Sequence, residues 1–157
     1  MDRVDIWYMT DYEGGKSLEK ALDSLGFTVH PVETPDFSKC VIDQSLVHIF
    51  VIDCMSVPVE RVVSLFHDDA RLQNFQKYLI VPSDQVDHAI ALSGELLHAD
   101  FISRPFNRRE FLLLLEKAVV VEKYRDLMRK ISKEAEERIE SFESLVHIHK
   151  KDLFESE

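Results

Sequence analysis

The segment LVHIFVID, residues 46–53, is an almost unbroken apolar run closed by an aspartate. A strand with one wet face alternates apolar and polar residues, whereas a strand covered on both faces is apolar at consecutive positions. This run therefore predicts a central strand of a parallel sheet, with Asp53 at its carboxyl end. Outward from it, Val4 to Met9 reads as an opening strand, and Leu18, Ala21, Leu22 and Leu25 mark the helix after it. Gly26 stops that helix, because a helix end favours a left-handed residue. Phe27 to Val32 reads as a second strand and Asp36 to Gln44 as a weak helix. A helix is expected over Pro58 to Phe75, with proline in its first turn, where the missing N–H is not needed. Then come a strand at Tyr78 to Val81, a helix at Asp87 to His98, a strand at Asp100 to Ser103, and a long helix from Asn107 to Lys150.

Strands alternating with helices imply a doubly wound parallel sheet, with helices on both faces, over residues 1–120. In such sheets function gathers at the carboxyl ends of the strands. That rule singles out Thr10, Asp11, Asp53, Ser83 and Arg104. Beyond Val121 the character changes: residues 122–157 contain no proline or glycine and are densely charged. Val121, Tyr124, Met128, Ile131, Ala135, Phe142 and Leu145 keep three-four spacing, interrupted at Arg138. Residues 121–157 are therefore expected to form a helical coiled-coil extension that pairs with a second copy, parallel and two-fold.

The chain has 157 residues, 45% of them hydrophobic, enough for one core plus an appendage. Its formal net charge of −10 argues against nucleic acid or an anionic membrane as partner. The longest apolar runs, such as Phe111 to Leu115, are too short to span a bilayer. Two cysteines, Cys40 and Cys54, with no secretory leader, fit a reducing cytoplasm. Cys54 reads as a small buried apolar residue.

One motif competes for the mouth of the first strand. Residues 10–17, TDYEGGKS, have the strand, Gly-Gly-Lys-Ser, helix order of a phosphate-cradling loop. Such a loop needs a further glycine where this chain has Thr10, so its backbone N–H groups do not all turn inward. Gly14 and Gly15 read better as a surface turn, and Lys16 as the start of a solvated helix face. His147 and His149 stand two apart on a predicted helix and point to different sides, which suits solvent better than a shared metal.

The strand-end residues together resemble the receiver domain of two-component response regulators, over about residues 3–120. In VIDCMSVP, Asp53 stands where that family has its phosphoryl-accepting aspartate. Ser83, in LIVPSD thirty residues later, stands at the family's serine or threonine position. DFISRPF supplies Phe101 at the switch position and Arg104-Pro105 for the family's lysine-proline pair, Arg104 lying fifty-one residues beyond Asp53. The resemblance implies a flavodoxin-like fold of five parallel strands. It also implies magnesium held by Asp53, Asp11 and the Met55 carbonyl, Ser83 donating to a phosphoryl oxygen, Arg104 neutralising charge, and Phe101 reporting the change.

Two departures bear on function. The family's acidic pair after the first strand is replaced, without a gap, by Met9 and Thr10, so only Asp11, and with it Glu13, offers a carboxylate there. Arginine also stands for lysine, and a planar fork is not equivalent to a compact ammonium. Two readings follow, neither of them an enzyme. In one, the chain takes a phosphoryl group on Asp53 from a histidine kinase and signals through its C-terminal helix. In the other, it is a pseudo-receiver, a docking or dimerisation module that never turns over phosphate.

Overall fold

The computed structural model describes residues 3–10, 15–54 and 57–155. The chain divides into two compact units, residues 1–122 and 123–157. In the first, β1 (Val4–Met9), β2 (Thr28–Val32), β3 (Val47–Asp53), β4 (Gln76–Val81) and β5 (Ala99–Ser103) form one sheet in the order β2-β1-β3-β4-β5. Every pairing is parallel. This is the flavodoxin-like order, whose direction of winding reverses between β1 and β3.

The LVHIFVID run becomes β3 at the middle of the sheet, and all seven of its residues are buried. Alternate side chains feed two cores. His48, Phe50 and Ile52 point to one face, where α2 (Val59–Asp68) contributes Val59, Val62, Val63 and Phe66, and α3 (Val86–Leu92) contributes Ala89. Ile49 and Val51 point to the other, against Leu18 and Leu22 of α1 (Gly15–Ser24) and Phe111, Leu115 and Val119 of α4 (Arg108–Glu155). Gly26 takes φ +90°, as the end of α1 requires. Asn107 caps α4, its Oδ1 accepting from Arg109 N at 2.9 Å and Glu110 N at 3.2 Å.

The helix expected at Asp36 to Gln44 does not form; these residues make turns. The reason is local. Asp36 Oδ1 accepts from Ser38 N at 3.0 Å, and Asp43 Oδ1 accepts from Ser45 N at 2.9 Å and Ser45 Oγ at 2.6 Å. Such short side-chain bonds compete with the helical ladder. The connection is held instead by Phe37 and Ile42, both buried in the core, and by Arg71. The Arg71 guanidinium donates to Cys40 O and Phe37 O, each at 2.6 Å, while Asp69 steadies it at 2.8 Å. Two other helices are shorter than expected. α2 stops at Asp68 because Asp69 is extended (φ −101°, ψ 98°), its side chain accepting from Arg71 N to start a short 3-10 turn. α3 stops at Leu92, and His98 turns the chain into β5 with φ 54°.

Buried polar groups near the amino ends of the strands are satisfied specifically. Trp7 Nε1–H donates to His48 Nδ1 at 3.0 Å, so the His48 proton sits on Nε2, where it meets Asp43 O at 2.7 Å. Burial pushes the His48 imidazole below its ordinary value. Lys77, fully buried on β4, donates through Nζ to the carbonyls of Phe75 (2.8 Å), Leu97 (3.0 Å) and Gln73 (3.3 Å). Among the described residues no helix is long and apolar enough to cross a membrane.

Two measurements check this architecture. Phe37 is 2% exposed in the helix-free connection whereas Val41, four residues on, is 89% exposed. Phe37→Ala is expected to lower unfolding free energy by about 3–5 kcal/mol, and Val41→Ala to change it by no more than about 0.5 kcal/mol, both read by urea denaturation. The second concerns pH. Burial lowers Lys77 from 10.5 to about 8, so between those values the unfolded chain holds the lysine proton and the folded chain does not. Stability therefore rises with pH across that window, because the burden of burying the charge disappears. Relative to Lys77→Met, the wild type should gain stability from pH 8 to 10; a constant difference would contradict this account.

Candidate functional site

The carboxyl ends of β1, β3, β4 and β5 meet at one pocket. Asp53, the last residue of β3, pairs in register with Ile80 of β4, and Cys54 N continues the ladder to Ile80 O at 2.8 Å. Arg104 follows β5, its backbone N donating to Val81 O at 2.9 Å. That bond fixes the start of the Arg104 side chain beside β4, from where it reaches Asp53. Its Nε donates to Asp53 Oδ1 at 3.2 Å, and its Nη2 forms an ion pair with Oδ2. Asp53 is 1% exposed and Arg104 19%. A carboxylate buried to that degree needs a partner of opposite charge, and a two-pronged guanidinium supplies both charge and geometry.

Thr10 completes the described part of the pocket. Its hydroxyl lies 3.5 Å from Asp53 Oδ2, at the edge of hydrogen-bond range. Burial pushes the Tyr8 phenol up, a shift that its hydrogen bond with Thr10 opposes. The strand-end rule singled out Thr10 and the acidic pattern marked it as a missing acid, but neither gave it Asp53 as a contact. The signal was present: successive strand residues face opposite ways, and Met9 is a core residue, so Thr10 is the one left to face the pocket.

The remaining candidates lie as follows. Ser83 opens an exposed 3-10 turn, Ser83–Gln85, after Pro82, and the described hydrogen bonds of Asp53 come from Thr10 and Arg104. Phe101 is half-buried on β5, packed against the core on the α2 and α3 face. Asp11, Glu13 and Met55 lie outside the described residues, as does the middle of the TDYEGGKS loop, residues 11–14. Its Ser17 already serves another contact: Arg108 donates to Ser17 Oγ at 2.8 Å and Ser17 O at 3.1 Å, tying α1 to the start of α4. His147 and His149 are exposed on α4, and among the described residues no group of histidine, cysteine, aspartate and glutamate is arranged to hold a metal ion.

For magnesium, the described part of the pocket is a poor fit. The ion prefers oxygen donors in an octahedral shell, often one or two carboxylates with water. The described residues offer one carboxylate, Asp53, and a guanidinium already covers both of its oxygens.

The ion pair leads to a stability prediction. Arg104→Met would leave Asp53 buried without its counter-charge and should destabilise the fold by about 2–4 kcal/mol, somewhat under the fully buried range because Arg104 is partly solvated. Asp53→Asn/Arg104→Met should be more stable than the Arg104→Met single variant. Additive losses in this double-mutant cycle, read by denaturation, would show that the two side chains do not interact.

No protein-family model matches the chain, and no curated protein matches its sequence. Solved structures match its fold. The response regulator StyR superposes with a TM-score of 0.68 at 13% identity, covering 86% of this chain and 68% of that one. The signal receiver domain of an HD domain-containing protein from Pseudomonas fluorescens gives 0.59 at 16% identity, covering 80% and 93%. A chain described as an adenylate cyclase from Rhodopirellula baltica gives 0.58 at 17% identity, covering 83% and 99%. At these identities likeness carries the fold and assigns no activity to any residue. Most such matches are receiver domains, and the five-stranded parallel sheet of this chain has the receiver-domain, flavodoxin-like fold.

Proposed function

We propose that this chain is a receiver-type signalling module that works through protein contacts, with its strand-end aspartate held by an arginine instead of cycling through a phosphoryl adduct. The observation that carries this reading is the Asp53–Arg104 pair. A carboxylate nucleophile must present an oxygen to the incoming phosphorus, whereas Asp53 is buried with both oxygens engaged. Replacement of the acidic pair by Met9 and Thr10 supports the same reading.

A second reading keeps the chemistry: Asp53 accepts a phosphoryl group from a histidine kinase with magnesium, Ser83 and Arg104 bind the phosphoryl oxygens, and Phe101 relays the change. The specific observation in its favour is Arg104 itself, a cation within reach of any group added to Asp53. Incubation with magnesium and acetyl phosphate, or with beryllofluoride, separates the two. The leading reading expects no mass increase on Asp53 and no beryllofluoride complex; an adduct on Asp53 lost in Asp53→Asn would establish the second.

Either way the partner is a signalling protein in the cytoplasm, and the chain is a homodimer through the second unit. On the part of α4 beyond residue 122, Tyr124, Leu127, Met128, Ile131, Phe142 and Leu145 are all substantially exposed. A helix with such a seam gains order by burying it against a copy of itself. The net charge of −10 disfavours nucleic acid and anionic membranes as alternatives. Light scattering on the full chain should report a dimer, and Met128→Glu/Ile131→Glu should convert it to a monomer without unfolding the sheet. A wild-type chain that stays monomeric at high concentration would remove the self-association part of the proposal.

A further inference from the structure

We propose that Arg104 takes the place of a divalent cation at the carboxyl end of β3, so that this pocket excludes magnesium by carrying its own counter-ion. The inference rests on the receiver-type reading of the pocket, since that resemblance is what implies a metal there.

Two positions on different strands have changed in compensating ways. Among the described residues after β1, the side chain facing Asp53 is the Thr10 hydroxyl, 3.5 Å from Oδ2, where a second carboxylate would be needed to help hold a dication. Its neighbour Met9 is 3% exposed and belongs to the core beneath the sheet, so it offers the pocket no donor. After β5, Arg104 places a fixed positive charge on both oxygens of Asp53. The charges of Asp53 and Arg104 cancel without a metal. A magnesium ion would have to take an oxygen from the guanidinium and then sit beside it, and two like charges at such range repel strongly in a partly buried site.

The test is a titration of the full chain with Mn²⁺, followed by electron paramagnetic resonance, and with Mg²⁺, followed by calorimetry. Wild type is expected to show no saturable site. Thr10→Asp/Arg104→Lys, which returns the acid and shrinks the cation, should bind one ion, at least on the order of tenfold more tightly than wild type. Arg104→Met should fall between them. Wild-type binding as tight as that of the double variant would overturn the proposal, and so would a folded double variant that gains no affinity. Wild type alone gives an independent check that needs no variant to fold. Its melting temperature should be the same in magnesium chloride as in sodium chloride of equal ionic strength, and a rise specific to magnesium would overturn the proposal. Labelling of Asp53 by acetyl phosphate in EDTA would end the reading based on protein contacts and leave this inference standing. Labelling that requires magnesium would end both.

Discussion

The architecture depends on where β3 lies and how it ends. Seven consecutive buried residues cannot be covered from one side, so the chain must supply layers on both faces, and the helices and loops around the sheet do so. The last of the seven is a carboxylate. In water Asp53 would need no partner, but at the switch point of a doubly wound sheet it is walled in by the neighbouring strand ends. The fold that buries Val47 to Ile52 therefore forces a solution for Asp53, and Arg104 from β5 is the solution this chain uses. The pocket at the carboxyl ends is thus a consequence of the core, closed by charge.

The amino half of the sheet solves a related problem differently. β2 and β1 lack a covering helix in the β2–β3 connection, so aromatic residues and a guanidinium fill that role. Phe37 stacks against Phe66 with centroids 5.7 Å apart and meets Phe50 edge-on at 5.0 Å, while Arg71 fastens the backbone on either side of Cys40. Polar groups beneath them are matched: His48 accepts from Trp7 at Nδ1 and donates from Nε2 to Asp43 O, and Asp5 is held by Arg3 at 2.6 Å. At this end neighbouring strands and turns meet the buried groups, except that His30 Nε2, 3.5 Å from Asp5 Oδ1, makes no hydrogen bond among the described residues. At the other end Asp53 draws its partner from the end of β5, two strands away in the sheet.

Much of this could be read in the sequence. An unbroken apolar run names a central strand because burial on both faces leaves no room for alternation, and the strand-end rule then places Asp53 and Arg104 near each other without any coordinates. The segment at Asp36 to Gln44 misled for an equally physical reason: its spacing is compatible with a helix, but Asp36 and Asp43 each offer the backbone a closer hydrogen bond than the helix does. The end of α2 was set by Asp69, and α3 gives way after Leu92 to a 3-10 turn, Ser93–Glu95, which periodicity does not encode. Thr10 was visible as a departure from an acidic pattern, yet its contact with Asp53 depends on which way β1 is rotated. That rotation is fixed by Met9 entering the core. The distribution of Arg104 over both oxygens of Asp53 required the three-dimensional path of β5 past β4.

The central claim is that Arg104 and Asp53 are bound to each other in the resting protein. The most direct measurement is the arginine Nε–H region of a ¹H–¹⁵N spectrum of the full chain. The account predicts a resolved Arg104 signal in slow exchange with water, which moves into the envelope of solvent-exposed arginines in Asp53→Asn. An Arg104 signal already within that envelope in the wild type, and unmoved by Asp53→Asn, would contradict it.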